Sequence, residues 1–188
     1  MLHKNICYVF ERAVKAEICD EIIAHMDANK KIKATLAGKK QNVKQRKGSV
    51  MWKKPRAFHD LILPYFDKAN QQGGYNYQFD MFEDIQLAQY DKGDHFNWHE
   101  DTLTDPFDNG KIRKLSMSIN LSDEKDYVGG HFKFRRLDRG KIVDFQPVKF
   151  RKKGSVIVFP SPTMHTVTPI KKGRRYALVA WALGSPFK

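Results

Sequence analysis

Acidic residues are missing from a long stretch of this 188-residue chain: none occurs between Asp27 and Asp60, while eleven lysines and arginines run from Lys30 to Arg56. The whole chain carries 34 Lys and Arg against 21 Asp and Glu, a formal net charge of +13, so nearly all of the excess sits in that stretch. Such a run is either a solvated loop or an electrostatic footprint for an acidic partner, nucleic acid or an acidic polypeptide. Within it, residues 39–49 have no periodic apolar pattern and are predicted to stay mobile until something binds. Cysteine is scarce too. Cys7 and Cys19 both lie in apolar stretches, read as small buried hydrophobes, and exclude a disulfide scaffold. No run approaches the roughly 18 to 20 apolar residues of a membrane-spanning helix. The opening Met-Leu-His-Lys-Asn-Ile lacks a basic segment followed by an apolar one, so the expectation is a cytoplasmic protein with no membrane partner. Repeats and linkers are absent as well. A chain of this length buries about 70% of its unfolded surface, which predicts one domain over residues 1–188.

What is present changes character along the chain. Ile18, Ile22 and Met26 recur at i, i+4 and i+8, which predicts a helix over Ala16 to Asn29. Phe58, Leu61, Ile62, Tyr65 and Ala69 form a second helical stripe, with Pro64 expected to kink it or mark its first turn. From Tyr75 onward, short β-branched and aromatic runs alternate with Gly, Pro, Asn and Asp. These predict strands near 6–10, 77–82, 85–90, 96–101, 114–121, 131–135, 142–149, 155–159, 166–170 and 175–182. The expected fold is mainly β with N-terminal helices, a jelly-roll or related double-sheet barrel. Helical support and the basic loop occupy about 1–75, and the β-core about 76–183.

The chemistry begins at His99-Glu100-Asp101. On a strand, residues two apart share a face, so His99 and Asp101 point one way and Glu100 the other. By the same alternation His95 shares the face of His99. A third ligand is available in His165, just past the apolar run Val156-Ile-Val-Phe and a Pro-rich turn. Two histidines and one carboxylate with open positions make the facial triad of non-haem Fe(II) oxygenases. An iron of that kind needs an electron source, and users of 2-oxoglutarate need a cation for its far carboxylate. Arg174 and Arg175 both stand at the head of the run Tyr176-Ala-Leu-Val-Ala-Trp181. Because both alternating faces of that run are apolar, periodicity leaves the choice between them open.

A wider pattern joins these residues. Tyr90, Gly93, Phe96, His99 and Asp101 come first, then Arg113, Leu121-Ser122 and Gly129-Gly130, then His165, Val167, Pro169, Gly173, Arg175 and Trp181. In this order the chain resembles the Fe(II)/2-oxoglutarate-dependent dioxygenases, specifically the prolyl 4-hydroxylase-like group and its bacterial and phage PKHD-type hydroxylases. Weaker similarity through Arg46-Lys-Gly-Ser-Val50, Ala69-Asn70 and Gln86 extends it over roughly residues 40–183. The resemblance implies a double-stranded β-helix with Fe(II) on His99, Asp101 and His165. Its register selects Arg175 for the C5 carboxylate of 2-oxoglutarate. Asn120 falls where some relatives place a tyrosine that also reaches that carboxylate, and Tyr90 is a candidate wall of the same pocket. His131 follows Gly129-Gly130 where relatives usually carry an acid, and family spacing excludes His95 as a ligand. The implied reaction consumes O₂ and 2-oxoglutarate, releases succinate and CO₂, and hydroxylates a peptidyl residue, proline first, with ascorbate as helper. The alternative is an oxygenase acting on nucleic acid or another non-peptide substrate bound by basic residues 30–56.

Overall fold

The computed structural model describes residues 5–35, 42–102 and 105–186. In chain order it contains β1 (Tyr8–Phe10), α1 (Ala16–Asp27), β2 (Ile32–Lys33), β3 (Arg46–Lys47), β4 (Ser49–Lys53), α2 (His59–Gln72), β5 (Met81–Phe82) and β6 (Ile85–Tyr90). There follow β7 (His95–His99), β8 (Ile112–Asn120), β9 (Tyr127–Gly129), β10 (Phe132–Asp138), β11 (Lys141–Phe145), β12 (Val156–Pro160), β13 (His165–Val167), β14 (Ile170–Gly173) and β15 (Arg175–Gly184). A major sheet in the order β1-β12-β8-β15-β6-β4-β2, with β5 also on β15, faces a minor sheet ordered β11-β10-β13-β7-β3. All pairings are antiparallel, and β9 and β14 form a separate ribbon. The result is a double-stranded β-helix.

The major sheet is buried on both sides, which is why its strands read as nearly continuous apolar runs. Leu115, Ile119, Val156, Val158, Leu178 and Ala180 form one core with Cys19, Ile22 and Met26 of α1 and Ile62, Phe66 and Ala69 of α2. The helices therefore cover the outer face, as their apolar stripes required. Pro64 lies inside α2 and does not end it. It lacks the N–H that would reach Asp60, while Ile62 and Phe66 on either side are fully buried, so packing holds the helix together across the gap. Alternate residues of the same strands, Ile157 and Phe159, turn inward to a second core with Phe132, Phe134, Phe150 and Val167.

Several expected boundaries move, each for a local reason. The strand expected over 142–149 stops at Phe145, and Pro147 leads into a 3₁₀ turn over Val148–Arg151. The run expected over 166–170 divides into β13 and β14 around Pro169. The basic stretch differs most. Of the segment expected to be mobile, Lys39 to Gln41 lie outside the described residues and residues 42–45 form a turn, but Arg46, Lys47 and Ser49 are built into the sheets. β3 pairs with β7 through Arg46↔Phe96 and Lys47↔His95, and β4 pairs with β6 over five residues from Ser49↔Gln89 to Lys53↔Ile85. Ladder bonds use the backbone, so this pairing needs no apolar periodicity. Among the described residues, no helix is long and apolar enough to cross a membrane.

Candidate metal centre

His99 ends β7 and His165 begins β13, and the two residues are partners in the antiparallel register. Two residues further along β13, Val167 faces Phe96, so three steps on β7 match two on β13. Asn97 and Trp98 thus form a bulge opposite Thr166, and a bulge re-aims side chains. It turns Phe96 and His99 to the same inner face, where their rings stack at 3.4 Å and 11°. The same bulge breaks the alternation that would have set His95 beside His99. The His95 ring instead contacts the carbonyls of Gly93 and Lys44. Two neighbours clamp the bulge. The Asn97 backbone N–H donates to the Gln45 carbonyl at 2.8 Å, and the Asn97 amide donates to the Lys44 carbonyl at 2.6 Å. Thr166 Oγ1 donates to the Phe96 carbonyl at 2.7 Å.

Asp101 lies beyond the end of β7, so the strand-face argument reaches the right neighbour although the strand itself stops at His99. Its backbone N–H donates to the Ser161 carbonyl at 2.9 Å, and its own carbonyl accepts from Arg113 at 3.2 Å. Oδ1 stands 3.7 Å from His99 Nε2, and Oδ2 stands 3.7 Å from His165 Nε2. The three residues offer ligand atoms all within 4.8 Å of one another, the spacing of a metal site. Each imidazole has its Nδ1 beside a carbonyl, His99 to Asn97 at 2.7 Å and His165 to Thr163 at 2.8 Å. An Nδ1–H donated to those carbonyls leaves both Nε2 lone pairs aimed inward. Burial pushes the His99 imidazolium pKa down, and the charge of His165 adds to the effect. Burial alone would raise the Asp101 pKa, but His165, His99, Arg113 and a hydrogen bond from Ser116 outweigh it and hold the carboxyl ionised. Neutral imidazole and carboxylate are the forms that bind a metal ion.

The ligand atoms open onto a cavity of about 590 Å³ between the sheets. On β15 the inward residues alternate as Arg175, Ala177, Val179 and Trp181. Of the two arginines at the head of this run, Arg175 is thus the one on the cavity face. Arg175 is 2% exposed, and Tyr90, its register partner, also lines the cavity. The Tyr90 and Phe150 rings each lie 6.0 Å from the Arg175 guanidinium, and among the described residues no carboxylate pairs with it. Arg174 points the other way, to Asp91 and the Tyr176 hydroxyl. The Gly129-Gly130 turn passes close by. A Cβ on Gly130, at φ +58°, would stand 2.4 Å from Ile170 Cδ1 and 3.3 Å from Arg175 Cδ.

Two residues singled out in the sequence stay outside this cavity. The Asn120 amide donates to the carbonyls of Ser122 and Arg151 at 2.9 and 2.8 Å, and its side chain borders only a small recess behind Arg175. His131 lies in that recess too, 3.4 Å from an Arg151 nitrogen, with burial first and then Arg151 lowering its pKa. Sequence reasoning gave no role to Trp52, Glu83 or Phe107, which complete the wall. Glu83 holds Arg113 in a two-pronged pair at 2.6 and 2.7 Å, and Arg113 lies 4.0 Å over Trp181. Trp52 stacks on Trp181 at 6.1 Å. Only tertiary pairing of β4 with β6 brings Trp52 there, so no local signal could have found it.

Solved structures share this architecture. A prolyl-4-hydroxylase from Pseudomonas putida matches at TM-score 0.67 and 21% identity, covering 95% of this chain and 92% of that one. A viral collagen prolyl hydroxylase from Paramecium Bursaria Chlorella virus-1, solved as a 2OG complex, matches at 0.67 and 19% over 96% and 97%. A prolyl hydroxylase from Trichoplax adhaerens, solved with a peptide fragment, matches at 0.72 and 17% over 95% and 84%. In sequence, a PKHD-type hydroxylase of Synechococcus sp. (strain CC9902) is 34% identical over 97 residues, and one of Synechococcus sp. (strain CC9605) is 36% identical over 96. These matches take in 52% and 50% of this chain but only 40% and 39% of the relatives' lengths. The family model of the 2OG-Fe(II) oxygenase superfamily matches residues 85–183, the stretch that holds all three ligand residues and Arg175. The chain belongs to the 2OG-Fe(II) oxygenase superfamily.

Proposed function

We propose that this protein is an Fe(II)- and 2-oxoglutarate-dependent hydroxylase that acts on a peptidyl residue, proline first. One observation carries the reading: a buried guanidinium without an ionic partner among the described residues, Arg175, shares a cavity with a His-Asp-His cluster whose lone pairs converge. A cation buried that deeply is costly unless an anion joins it. A dicarboxylate cosubstrate would supply that anion. The donor set also fits the metal, since two imidazoles and a carboxylate with open positions suit non-haem Fe(II). His99, Asp101 and His165 would hold the iron, and Arg175, with Tyr90 as wall, would take the far carboxylate of 2-oxoglutarate. Together iron and cosubstrate supply the oxidising power, with succinate and CO₂ released as one oxygen atom enters the substrate. The chain's own part is to fix the ring planes through the Asn97 and Thr163 carbonyls, keep the carboxylate ionised and line a dry wall of Phe96, Phe159 and Phe132.

A peptide substrate is supported by the prolyl hydroxylases among the structural relatives, one of them solved with a peptide. The basic stretch gives less support to nucleic acid than its charge implies. Lys31, Lys47 and Lys54 pair with Asp27, Asp94 and Asp84, and Arg46 is buried against Gln86. The test is to supply Fe(II), 2-oxoglutarate and O₂ with a proline-containing peptide library or with single-stranded DNA and RNA, then to seek products one oxygen atom heavier by mass spectrometry. The expected result is a peptide product. Oxidised nucleotides with unmodified peptides would overturn the substrate assignment and favour the alternative.

A further inference from the structure

The cavity holds a second buried arginine that the cosubstrate leaves unused. Arg46 of β3 is 6% exposed and borders the cavity. Its guanidinium lies 4.5 Å over the Phe96 ring, which stacks in turn on His99, so a single ring separates this cation from the ligand cluster. Arg46 donates to two acceptors, the Gln86 side-chain carbonyl and, at 3.4 Å, the Thr35 main-chain carbonyl. Both are neutral. The buried Nε–H has no acceptor, and among the described residues no carboxylate pairs with Arg46. No acidic side chain is left over to serve it, because residues 1–4, 36–41, 103–104 and 187–188 contain no Asp or Glu.

Arg46 and Arg175 belong to different ends of the cavity. Tyr90 is the register partner of Arg175, and Gln86 accepts from Arg46. Both lie on β6 and line the cavity, and four residues along a strand span about 13 Å. The Arg46 end reaches solvent, since Trp52, in register with Gln86, lines the cavity and is 41% exposed. Burying a guanidinium without an anion is costly, and an aromatic face with two neutral acceptors offsets only part of that cost. A planar cation with a free N–H matches a carboxylate. Two such cations this far apart call for two anions, one at each end.

We propose that Arg46 is a specificity-determining residue that receives a carboxylate of the peptide substrate, so that the enzyme selects peptides with an acidic group near the residue to be hydroxylated. The proposal rests on reading the protein as a peptidyl hydroxylase, and the experiment separates the two. The probes are two pools of proline-centred peptides, capped at both ends and alike except that one carries Asp and Glu where the other carries Asn and Gln. A third pool keeps Asn and Gln but leaves the C-terminal carboxylate free. Each is presented to the full-length protein held anaerobically with Fe(II) and 2-oxoglutarate, and retained peptides are read by mass spectrometry without turnover. A hydrogen bond to a charged group changes affinity by about tenfold or more. Wild type should therefore retain the acidic pool about tenfold better than the capped amide pool; the same advantage for the third pool alone would support the proposal with the chain terminus as the source of the carboxylate. Arg46→Met should bring the ratio near one, and Arg46→Lys should keep part of it. Gln86→Glu gives Arg46 a carboxylate from within and should abolish the preference too, which an arginine with a purely structural role would not show. Equal retention of all three pools by wild type, or an unchanged preference in Arg46→Met, would overturn the proposal. Should Arg46→Met fail to fold, an unchanged preference in Gln86→Glu would do the same. Wild type that retains none of the three pools would instead overturn the peptide reading beneath the proposal.

Discussion

Arg175 is the residue at which stability and function should part company most clearly. It is 2% exposed, lies between the Tyr90 and Phe150 rings, and has no carboxylate partner among the described residues. A guanidinium on a carboxylate makes a charge-assisted contact, and hydrogen bonds to charged groups contribute about 1.5–3 kcal/mol, with more lost when a buried partner is stranded. Each 1.4 kcal/mol is about tenfold, so Arg175→Ala should raise the 2-oxoglutarate requirement by about tenfold to a hundredfold or beyond. Arg175→Lys should recover part of this, because it keeps the charge and loses the planar fork. Metal affinity should hardly change, since Arg175 holds none of the three ligand side chains. The metal-free protein should respond in the opposite sense. Removing a buried charge that lacks an ionic partner spares its desolvation cost, so Arg175→Met should unfold at the same temperature as wild type or higher. The assay pairs thermal unfolding of the metal-free variants with succinate release against 2-oxoglutarate concentration. Arg174→Ala is the control. Its exposed pair with Asp91 contributes at most about 1 kcal/mol, and cosubstrate binding should be intact. A defect carried by Arg174→Ala and not by Arg175→Ala would refute the reasoning and shift the register of β15 by one.

Further outcomes follow from the same geometry. His99→Ala, Asp101→Ala and His165→Ala should each abolish both divalent metal uptake, read by calorimetry, and iron-dependent decarboxylation, while Glu100→Ala, exposed at the edge of the cavity and outside the ligand cluster, should leave both in place. Asn97→Ala removes the 2.6 Å bond to Lys44 that clamps the bulge beneath His99; metal affinity should fall several-fold, with a cost of about 1 kcal/mol in stability by denaturant unfolding. The folded-state pKa of His99 is depressed from 6.5 to about 3, so the unfolded chain binds a proton there first as pH falls. That contribution to stability is fully present above about pH 6.5 and is lost progressively toward pH 3. In metal-free unfolding measurements, His99→Gln should therefore flatten the pH slope in that window, and an unchanged slope would remove His99 as its source. Gly130→Ala places a side chain at φ +58° within 2.4 Å of Ile170 and should destabilise by about 1–3 kcal/mol, with weaker 2-oxoglutarate binding through the displaced Arg175.

The chemistry of the site was more legible in the sequence than its walls were. His99 and Asp101 are tied by a spacing of two, and His165 stands at the mouth of an apolar strand, so short-range rules and a family pattern suffice to bring the three together. The bulge at Asn97 and Trp98 was not legible, because it depends on how β7 meets β13. Strict alternation therefore placed His95 beside His99, where the structure places Phe96. Arg174 and Arg175 could not be separated by pattern because β15 is buried on both faces, by the helices outside and the cavity inside. β3 and β4 were hidden by composition. Their lysines and arginines read as solvated, while the backbone pairing that orders them leaves no trace in hydropathy. Asn120 was reached by analogy with a tyrosine position, and in the fold its amide donates to the Ser122 and Arg151 carbonyls beside the recess that Arg175 also borders.

The most direct test is a single-turnover experiment on the full-length protein. Metal-free enzyme is loaded anaerobically with Fe(II) and 2-oxoglutarate, exposed to O₂, and assayed for succinate beside the Asp101→Ala and His95→Ala variants. Wild type and His95→Ala should form succinate only when Fe(II) and O₂ are both supplied, and Asp101→Ala should form none. Succinate from Asp101→Ala at the wild-type level, or its loss in His95→Ala alone, would contradict the assignment of His99, Asp101 and His165 as the iron centre.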